Sequence, residues 1–239
     1  MGEAVTMAVT GKIVVITGST GAGKSTTCGE FVAQQDELWL HFGVDLFFGK
    51  LVPLKFIDGG GSRSGDGLYT APVYPADPDG PWHMALGPLG AGMMHSFHRM
   101  VAEAARSGQN VVLDHIAMVD PPVLADCLTS LAGLPVFFVA LKPPVEVIPK
   151  RIDERLESIV ATLGREHAVK NSENKKKVAR FIYDRIFAHD CFDLVIDTDR
   201  HAPGKVARMI GDAMGDCHGR AFPELARRLE NGLAPFGGQ

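Results

Sequence analysis

The chain has 239 residues, of which 46% are hydrophobic and 22% charged, and its formal net charge is -4. This length suits one domain with an insertion, and the composition is typical of a soluble globular protein with a buried core. The slightly acidic balance argues against a general affinity for nucleic acid, and no apolar run is long enough to suggest a membrane span.

The start of the chain and its cysteines indicate a compartment. The opening residues, MGEAVTMAVTGK, have no basic region followed by an apolar region, so we expect no signal peptide. The cysteines stand far apart in the sequence and form no CxxC or Cys/His metal pattern; they are Cys28, Cys127, Cys191 and Cys217. We therefore expect reduced thiols and a cytoplasmic protein. The sequence leaves the oligomeric state open.

Short apolar runs alternate with longer helical patterns, which predicts an α/β fold with a parallel sheet. The predicted strands cover residues 12–17, 38–42, 110–114, 135–141 and 193–197. The predicted helices cover residues 24–34, 93–105, 121–131, 145–163, 173–188, 203–213 and 222–229, with a junction near Gly164. We interpret 1–215 as one domain with a lid region over about 145–188, followed by a C-terminal helical extension over 216–239.

Residues 52–82 interrupt this alternation. The segment is rich in Gly, Pro and Asp and carries four aromatic residues, Phe56, Tyr69, Tyr74 and Trp82. A loop of this length inside a compact domain is usually functional or disordered. We predict an insertion on the acceptor side, whose aromatic side chains either wall a pocket for a drug-sized molecule or form a small core of their own.

The strongest signal is GSTGAGKS at residues 18–25, which matches G-x-x-x-x-G-K-[ST] between a predicted strand and a predicted helix. Glycines let consecutive backbone N–H groups converge on an anion, and the helix adds its positive end. We expect Lys24 to reach the β- and γ-phosphates and Ser25 to ligate Mg²⁺ between them. The predicted nucleotide-binding residues are Gly18, Ser19, Thr20, Gly21, Ala22, Gly23, Lys24, Ser25 and Thr26.

Two acidic residues lie at or just past the ends of predicted strands, at the edge where ligands bind in open α/β sheets. Asp45 either orients and deprotonates an acceptor hydroxyl or caps the helix that follows it. Asp114 is either a Mg²⁺ residue or has a helix-capping or turn role before Ile116. We expect Asp114 or the adjacent His115 to face the metal-bound water or the substrate.

Basic residues further along the chain have two interpretations. Arg151 and Arg155 are four residues apart in KRIDER, so they share one helix face. They either neutralise a transferred phosphoryl group or form an exposed face paired with neighbouring acidic residues. His95 and His98 have no second ligand at a metal-binding spacing, and we expect partly exposed structural residues.

Several of these stretches together resemble the chloramphenicol phosphotransferase-like family of phosphate-loop kinases. The similarity rests on GSTGAGKST, WLHFGVD, GPLGAGMMHSFHRMVAEAARSGQNVVLDH, VFFVAL, RIDER and HDCFDLVIDTD, which run from about residue 12 to residue 214. The resemblance implies a three-layer phosphate-loop fold like that of adenylate kinase, with a five-stranded parallel sheet in the order 2-3-1-4-5.

The resemblance also implies an ATP-dependent O-phosphotransferase that moves the γ-phosphate to a hydroxyl of a small molecule, for which an antibiotic is one candidate. It makes Asp45 the counterpart of the family's catalytic base, and it supports Lys24, Ser25, Arg151 and Arg155 as phosphate and Mg²⁺ residues. A kinase of a metabolite, nucleoside or sugar nucleotide remains an alternative, as does a nucleotide-binding regulatory module. The sequence does not name the acceptor or decide between ATP and GTP.

Overall fold

A computed structural model describes residues 10–57, 62–157, 160 and 165–231. The strands are β1 (Ile13–Thr17), β2 (Trp39–Gly43), β3 (Leu68–Pro72), β4 (Trp82–Leu86), β5 (Asn110–His115), β6 (Val136–Leu141) and β7 (Leu194–Ile196). The helices are α1 (Lys24–Ala33), α2 (Val44–Lys50), α3 (Gly90–Arg106), α4 (Val123–Ser130), α5 (Ile148–Glu154), α6 (Arg165–Ile186), α7 (Pro203–Met214) and α8 (Ala221–Glu230).

Five parallel strands form the main sheet in the order β2-β5-β1-β6-β7. When only the strands of this sheet are numbered along the chain, their order is 2-3-1-4-5. The labels differ because β3 and β4, which lie between β2 and β5 in the sequence, form a separate sheet. The central strand β1 is buried along its whole length, which explains its unbroken apolar run. The predicted α/β fold is confirmed, and its five strands end within one residue of the predicted positions.

Helices cover both faces of the main sheet, which gives three layers. Ile13 and Val15 of β1 belong to a large core shared with α3, α4, α6 and α8. Val14 and Ile16 belong to a smaller core shared with α1 and α7. Successive strand residues point to opposite faces, so one strand contributes to both cores.

The insertion is more regular than the sequence predicts. Strands β3 and β4 form an antiparallel hairpin, and the short 3₁₀ turns Leu54–Phe56 and Ser64–Asp66 precede it. The connection between the two strands, residues 73–81, is rich in Pro, Asp and Gly. It is much longer than the two-residue turns that identify a hairpin in a sequence. The prediction of one long loop is therefore wrong for this part of the insertion.

Helix α6 begins at Arg165, whereas the sequence predicts a helix that starts at residue 173. Of the side chains that the structure describes in its first turns, only the small ones of Ala168 and Ser172 are buried, so no apolar stripe marks these turns as helical. Helix α5 ends at Glu154, within the longer helix predicted over 145–163. Residues 158–159 and 161–164, which include the expected junction at Gly164, lie outside the described part of the chain.

All four cysteines are free thiols, as the sequence predicts. Among the described helices, none is both long and apolar enough to cross a membrane.

The C-terminal helix α8 packs onto the large core at a defined point. Phe222 is buried, and its ring meets that of Phe138 edge-on with centroids 5.1 Å apart. Asp193 Oδ1 accepts hydrogen bonds from the backbone N–H groups of Arg220 at 2.6 Å and Ala221 at 2.9 Å. Its Oδ2 accepts from the backbone N–H of Phe138 at 2.8 Å. One carboxylate therefore joins the start of α8 to β6.

We expect Asp193→Ala to lower the free energy of unfolding by about 2 to 4 kcal/mol, because three backbone N–H groups lose a charged acceptor. Asp190→Ala is the matched control. Its side chain is 98% exposed and lies 3.9 Å from Arg228, so its loss should cost less than about 1 kcal/mol. Urea denaturation measures both variants, and equal effects would contradict the role given to Asp193.

Candidate functional site

The loop between β1 and α1 has the backbone of a phosphate-binding loop. Gly21 and Gly23 have φ angles of 79° and 96°, in the left-handed region that residues with a side chain rarely adopt. A Cβ at Gly18 would lie 2.7 Å from the carbonyl oxygen of Leu141, so the loop passes too close to β6 for a side chain. The loop leads directly into α1 at Lys24, whose N-terminal N–H groups favour an anion.

Lys24, Ser25 and Asp114 meet beside this loop. The Ser25 hydroxyl donates to Asp114 Oδ2 at 2.5 Å, and Lys24 Nζ lies 3.9 Å from Asp114 Oδ1. Lys24 Nζ also donates to the carbonyl oxygen of Ser19 at 3.2 Å. The side chains of Lys24 and Asp114 are only 12% and 10% exposed, so water and salt screen their attraction weakly. The structure thus brings together the predicted phosphate-binding lysine and the two predicted metal residues.

The surroundings of Asp114 favour a hard cation at its oxygens. Hydroxyl and carboxylate oxygens, as in Ser25 and Asp114, are the ligands that such ions take. Cys28 Sγ and a ring nitrogen of His41 also lie within 4.8 Å of each other and of the Asp114 carboxylate. Burial lowers the pKa of His41, against the opposing effect of Asp114. Its buried Nε2 has no hydrogen-bond partner among the residues that the structure describes.

Asp45 lies just past the end of β2, the strand next to β5. Strand β2 pairs with β5 so that Gly43 stands opposite Asp114, and a Cβ on Gly43 would be 3.5 Å from that of Asp114. Asp45 follows in the first turn of α2, where it is exposed. Its carboxylate makes no hydrogen bond or ion pair with any described residue. Gly43 occupies the N-cap position of α2, so the alternative of a capping role for Asp45 is wrong.

Arg151 links α5 to Thr198, just past the end of β7, and Thr198 in turn contacts the phosphate loop. Its guanidinium donates to Thr198 Oγ1 at 2.9 Å, to the carbonyl oxygen of Thr198 at 3.0 Å and to Asp199 Oδ1 at 3.1 Å. The Thr198 hydroxyl donates in turn to the carbonyl oxygen of Ala22 at 2.9 Å. Thr198 is not predicted from the sequence, although its place just past a parallel strand is a signal for a site residue. Arg155 follows at the end of α5 and is exposed.

A cavity of about 240 Å³ opens beside the phosphate loop. It lies between the backbone of residues 21–23, helix α5 and the start of α7. Its lining includes Arg151, Arg155, Thr198, His201 and Pro203. The cavity therefore continues the phosphate loop toward both arginines.

A second cavity of about 480 Å³ lies where the insertion meets the body of the protein. Its lining is mostly apolar and comes from residues 83–86 of β4, Ala91 of α3, residues 120–122 and Phe181 of α6. Lys177 of α6 holds the hairpin in place: its Nζ donates to the carbonyl oxygen of Pro78 at 2.9 Å and lies 5.4 Å from the centroid of the Trp82 ring. The insertion thus forms one wall of a pocket, but its four aromatic residues Phe56, Tyr69, Tyr74 and Trp82 are absent from the lining. Phe56 and Trp82 pack against the large core instead, so neither sequence interpretation of these aromatic side chains is confirmed.

The structure corrects the expectations for two histidines. His115 is fully buried on the opposite face of β5 from Asp114, since successive strand residues alternate. Its Nε2 lies 2.7 Å from Nε2 of His98, which is also fully buried rather than partly exposed. His98 Nδ1 is hydrogen-bonded to Asp126, which also lies 2.8 Å from His95 Nδ1. Burial, together with His98 and Lys24, lowers the pKa of His115 well below its usual value.

Comparison with known proteins agrees with this geometry. The family model of chloramphenicol phosphotransferase-like proteins matches residues 11–215. Two Mycobacterium tuberculosis proteins provisionally named O-phosphotransferases, MT2714 and Rv2636, from strains CDC 1551 and H37Rv, are each 27% identical over 154 residues. These matches cover 61% of this chain and 63% of each relative, so the chain spans just under two thirds of the length of those relatives.

A solved structure supports the fold independently. The Mycobacterium tuberculosis APS kinase CysC, in complex with AMPPNP and APS, superposes with a TM-score of 0.55 at 16% identity. The match covers 86% of this chain and 98% of that chain. At this identity the likeness establishes the phosphate-loop kinase fold and nothing finer.

The family model spans the phosphate loop, Asp45, Asp114 and both arginines, and it covers most of the chain. The protein therefore belongs to the chloramphenicol phosphotransferase-like family.

Proposed function

We propose that this protein is a small-molecule kinase that transfers the γ-phosphate of ATP to a hydroxyl group. The observation that carries the proposal is the register of β2 and β5. Gly43 stands opposite Asp114, so Asp45 emerges at the sheet edge that holds the phosphate loop. A phosphate loop alone also serves ATPases and binding modules. A hydroxyl acceptor requires in addition an exposed carboxylate beside the loop, and that of Asp45 has no partner among the residues that the structure describes.

The nucleotide is held by the loop and by the smaller cavity. Backbone N–H groups of residues 18–25 and the ammonium group of Lys24 bind the phosphates. The cavity beside residues 21–23 binds the nucleoside, because it adjoins the phosphate loop on the side where Arg151 and Arg155 line it. Thr198 fixes Arg151 next to the loop, so a positive charge is already in place when the triphosphate arrives.

Ser25 and Asp114 fit a magnesium ion, since their oxygens already meet at 2.5 Å and both are hard ligands. They would hold the ion beside Lys24. When bound, the ion supplies positive charge that offsets the charge on the β- and γ-phosphates.

Asp45 orients the acceptor hydroxyl and accepts its proton. As that oxygen bonds to the γ-phosphorus, the bond from this phosphorus to the β–γ bridging oxygen breaks and ADP leaves. Lys24, Arg151 and Arg155 stabilise the negative charge on the transferred group. Because these groups are held by α1 and α5 around one loop, they need little rearrangement during the reaction.

The acceptor occupies the larger cavity. Its apolar walls suit a hydroxylated molecule with an apolar or aromatic body, and His83 and Asp120 are polar groups in its lining. Hydroxylated antibiotics are one such class, which the family's name supports. Nucleosides and sugar nucleotides are more polar throughout and suit these walls less well.

The proposal is tested by screening ADP release against hydroxylated antibiotics including chloramphenicol, nucleosides, sugars and sugar nucleotides, followed by mass spectrometry of the product. ADP release that depends on an antibiotic, with phosphate found on its hydroxyl, supports the proposal. Phosphorylation of a nucleoside or sugar would support the assignment as a kinase but would show that the acceptor belongs to another class. ATP binding without turnover on any acceptor, together with a stable protein partner, would instead identify a regulatory module.

We expect Asp45→Asn to lower turnover by about 10² to 10⁴ while ATP binding stays near normal, because the amide cannot accept the proton. Turnover is measured as acceptor-dependent ADP release, and ATP binding by calorimetry. Asp212→Asn, an exposed aspartate on α7, is the matched control and should behave like the wild type. Wild-type turnover in Asp45→Asn would show that Asp45 does not accept the proton of the acceptor hydroxyl.

Lys24→Ala should weaken ATP binding and catalysis together, because the loop loses its one side-chain ammonium group beside Asp114. Lys50→Ala, at the exposed end of α2, controls for loss of a lysine. If calorimetry gives the same ATP affinity for Lys24→Ala as for the control, the phosphate loop is not the ATP site.

Ala91→Trp should raise the KM for the acceptor at least about tenfold and leave the KM for ATP unchanged, because the indole fills the larger cavity from an exposed position on α3. The matched control is Ala132→Trp, at an exposed position after α4. An unchanged KM for the acceptor in Ala91→Trp would place the acceptor elsewhere.

A further inference from the structure

Three buried side chains converge behind the active-site edge. They are His98 of α3, His115 of β5 and Cys127 of α4, and all three are fully buried. One ligand atom of each, a ring nitrogen or the sulfur, lies within 4.8 Å of the other two. We propose that these three residues bind one zinc ion, at a site separate from the phosphate loop and independent of the function proposed above.

The ligand types select the metal. Imidazole nitrogen and thiolate sulfur are ligands that Zn²⁺ prefers, whereas Mg²⁺ and Ca²⁺ take oxygen. Bond lengths of about 2.0 Å to nitrogen and 2.3 Å to sulfur put tetrahedral ligand atoms about 3.3 to 3.6 Å apart. The two Nε2 atoms, now 2.7 Å apart, must separate by roughly half an ångström to admit the ion. The cluster is therefore close to the required size.

A carboxylate already orients one of the ligands. Asp126 is hydrogen-bonded to His98 Nδ1, which turns Nε2 of the same ring toward His115. A carboxylate, a histidine and a metal in this order are the usual arrangement around protein-bound zinc, because the carboxylate fixes both the tautomer and the ring. The ring of Phe97 lies parallel to that of His115, with an interplanar angle of 4° and centroids 6.3 Å apart, and restrains the second ligand.

The charges balance when zinc enters. The proton between the two Nε2 atoms leaves that position, the thiol proton of Cys127 is released, and each imidazole remains neutral with its proton on Nδ1. The thiolate and the Asp126 carboxylate then offset the two positive charges of the ion, so the cluster carries no net charge once zinc is bound. The three side chains supply three of the four ligands of a tetrahedral zinc ion.

The position of the site indicates a structural role. The ligands come from α3, β5 and α4, and β5 carries Asp114 on its other face, one residue before His115. A zinc ion would join these three elements and fix the end of the strand from which Asp114 extends. Sequence spacing does not reveal the site, because the ligands are 17 and 12 residues apart and come from three separate elements.

The first test is the metal content of the full-length chain after equilibration with Zn²⁺ and dialysis. We expect about one zinc per chain by elemental mass spectrometry, and a chelator should lower the melting temperature. Replacement by Co²⁺ should produce a thiolate-to-cobalt absorption band. That band should disappear in Cys127→Ser and persist in Cys28→Ser, the matched control, whose buried sulfur lies near His41 and Asp114.

A second variant separates metal binding from folding. Asp126→Asn should lower zinc affinity about 10- to 100-fold, measured by competition with a chromophoric chelator, while circular dichroism stays unchanged. The proposal is overturned if the wild-type chain retains no zinc, or if the cobalt band disappears in Cys28→Ser and persists in Cys127→Ser. In the first case the cluster is a hydrogen-bonded network only.

Discussion

The parallel register of β2, β5 and β1 is the constraint on which the rest of the structure depends. Asp114 is paired with Gly43 on one side and with Ile16 on the other. Parallel strands end at the same edge of a sheet, so the phosphate loop after β1, the carboxylate of Asp114 and the turn that carries Asp45 emerge together. Gly43 and Asp114 are direct neighbours across the two strands, since a Cβ on Gly43 would lie in ordinary van der Waals contact with that of Asp114.

The phosphate loop is restrained from several directions, and this explains how it can present its N–H groups to an anion. Two of its carbonyl oxygens are occupied by side chains, that of Ser19 by Lys24 and that of Ala22 by Thr198. The buried Ser19 hydroxyl donates to the carbonyl oxygen of Ala179 in α6 at 2.8 Å. The loop is therefore attached to α6 and to the end of β7, so a movement of either element would reach the phosphate site. Preorganised donors of this kind bind charge without reorganising.

The sequence predicted those parts of the structure that local pattern determines. The five apolar strands, the glycine positions of the phosphate loop and the helix at the C-terminus all follow from periodicity or from backbone geometry. The hairpin in the insertion could not be predicted, because its strands are held by α6 through Lys177 rather than by a short turn. Thr198 and the cluster around His115 depend on contacts between residues far apart in the chain. The alternation of β5 did contain the signal that Asp114 and His115 face opposite sides.

The carboxyl end of β5 thus carries two polar side chains on opposite faces of the sheet: Asp114 beside the loop and Lys24, and His115 inside the core. A crystal structure with Mg²⁺ and a non-hydrolysable ATP analogue tests most directly whether the phosphate loop, Asp114 and Asp45 form one site. We predict a triphosphate along residues 18–25 whose terminal phosphate faces Asp45 across a gap that one hydroxyl group fills. A terminal phosphate sealed from Asp45 by protein, or a nucleotide bound away from the loop, would contradict the account.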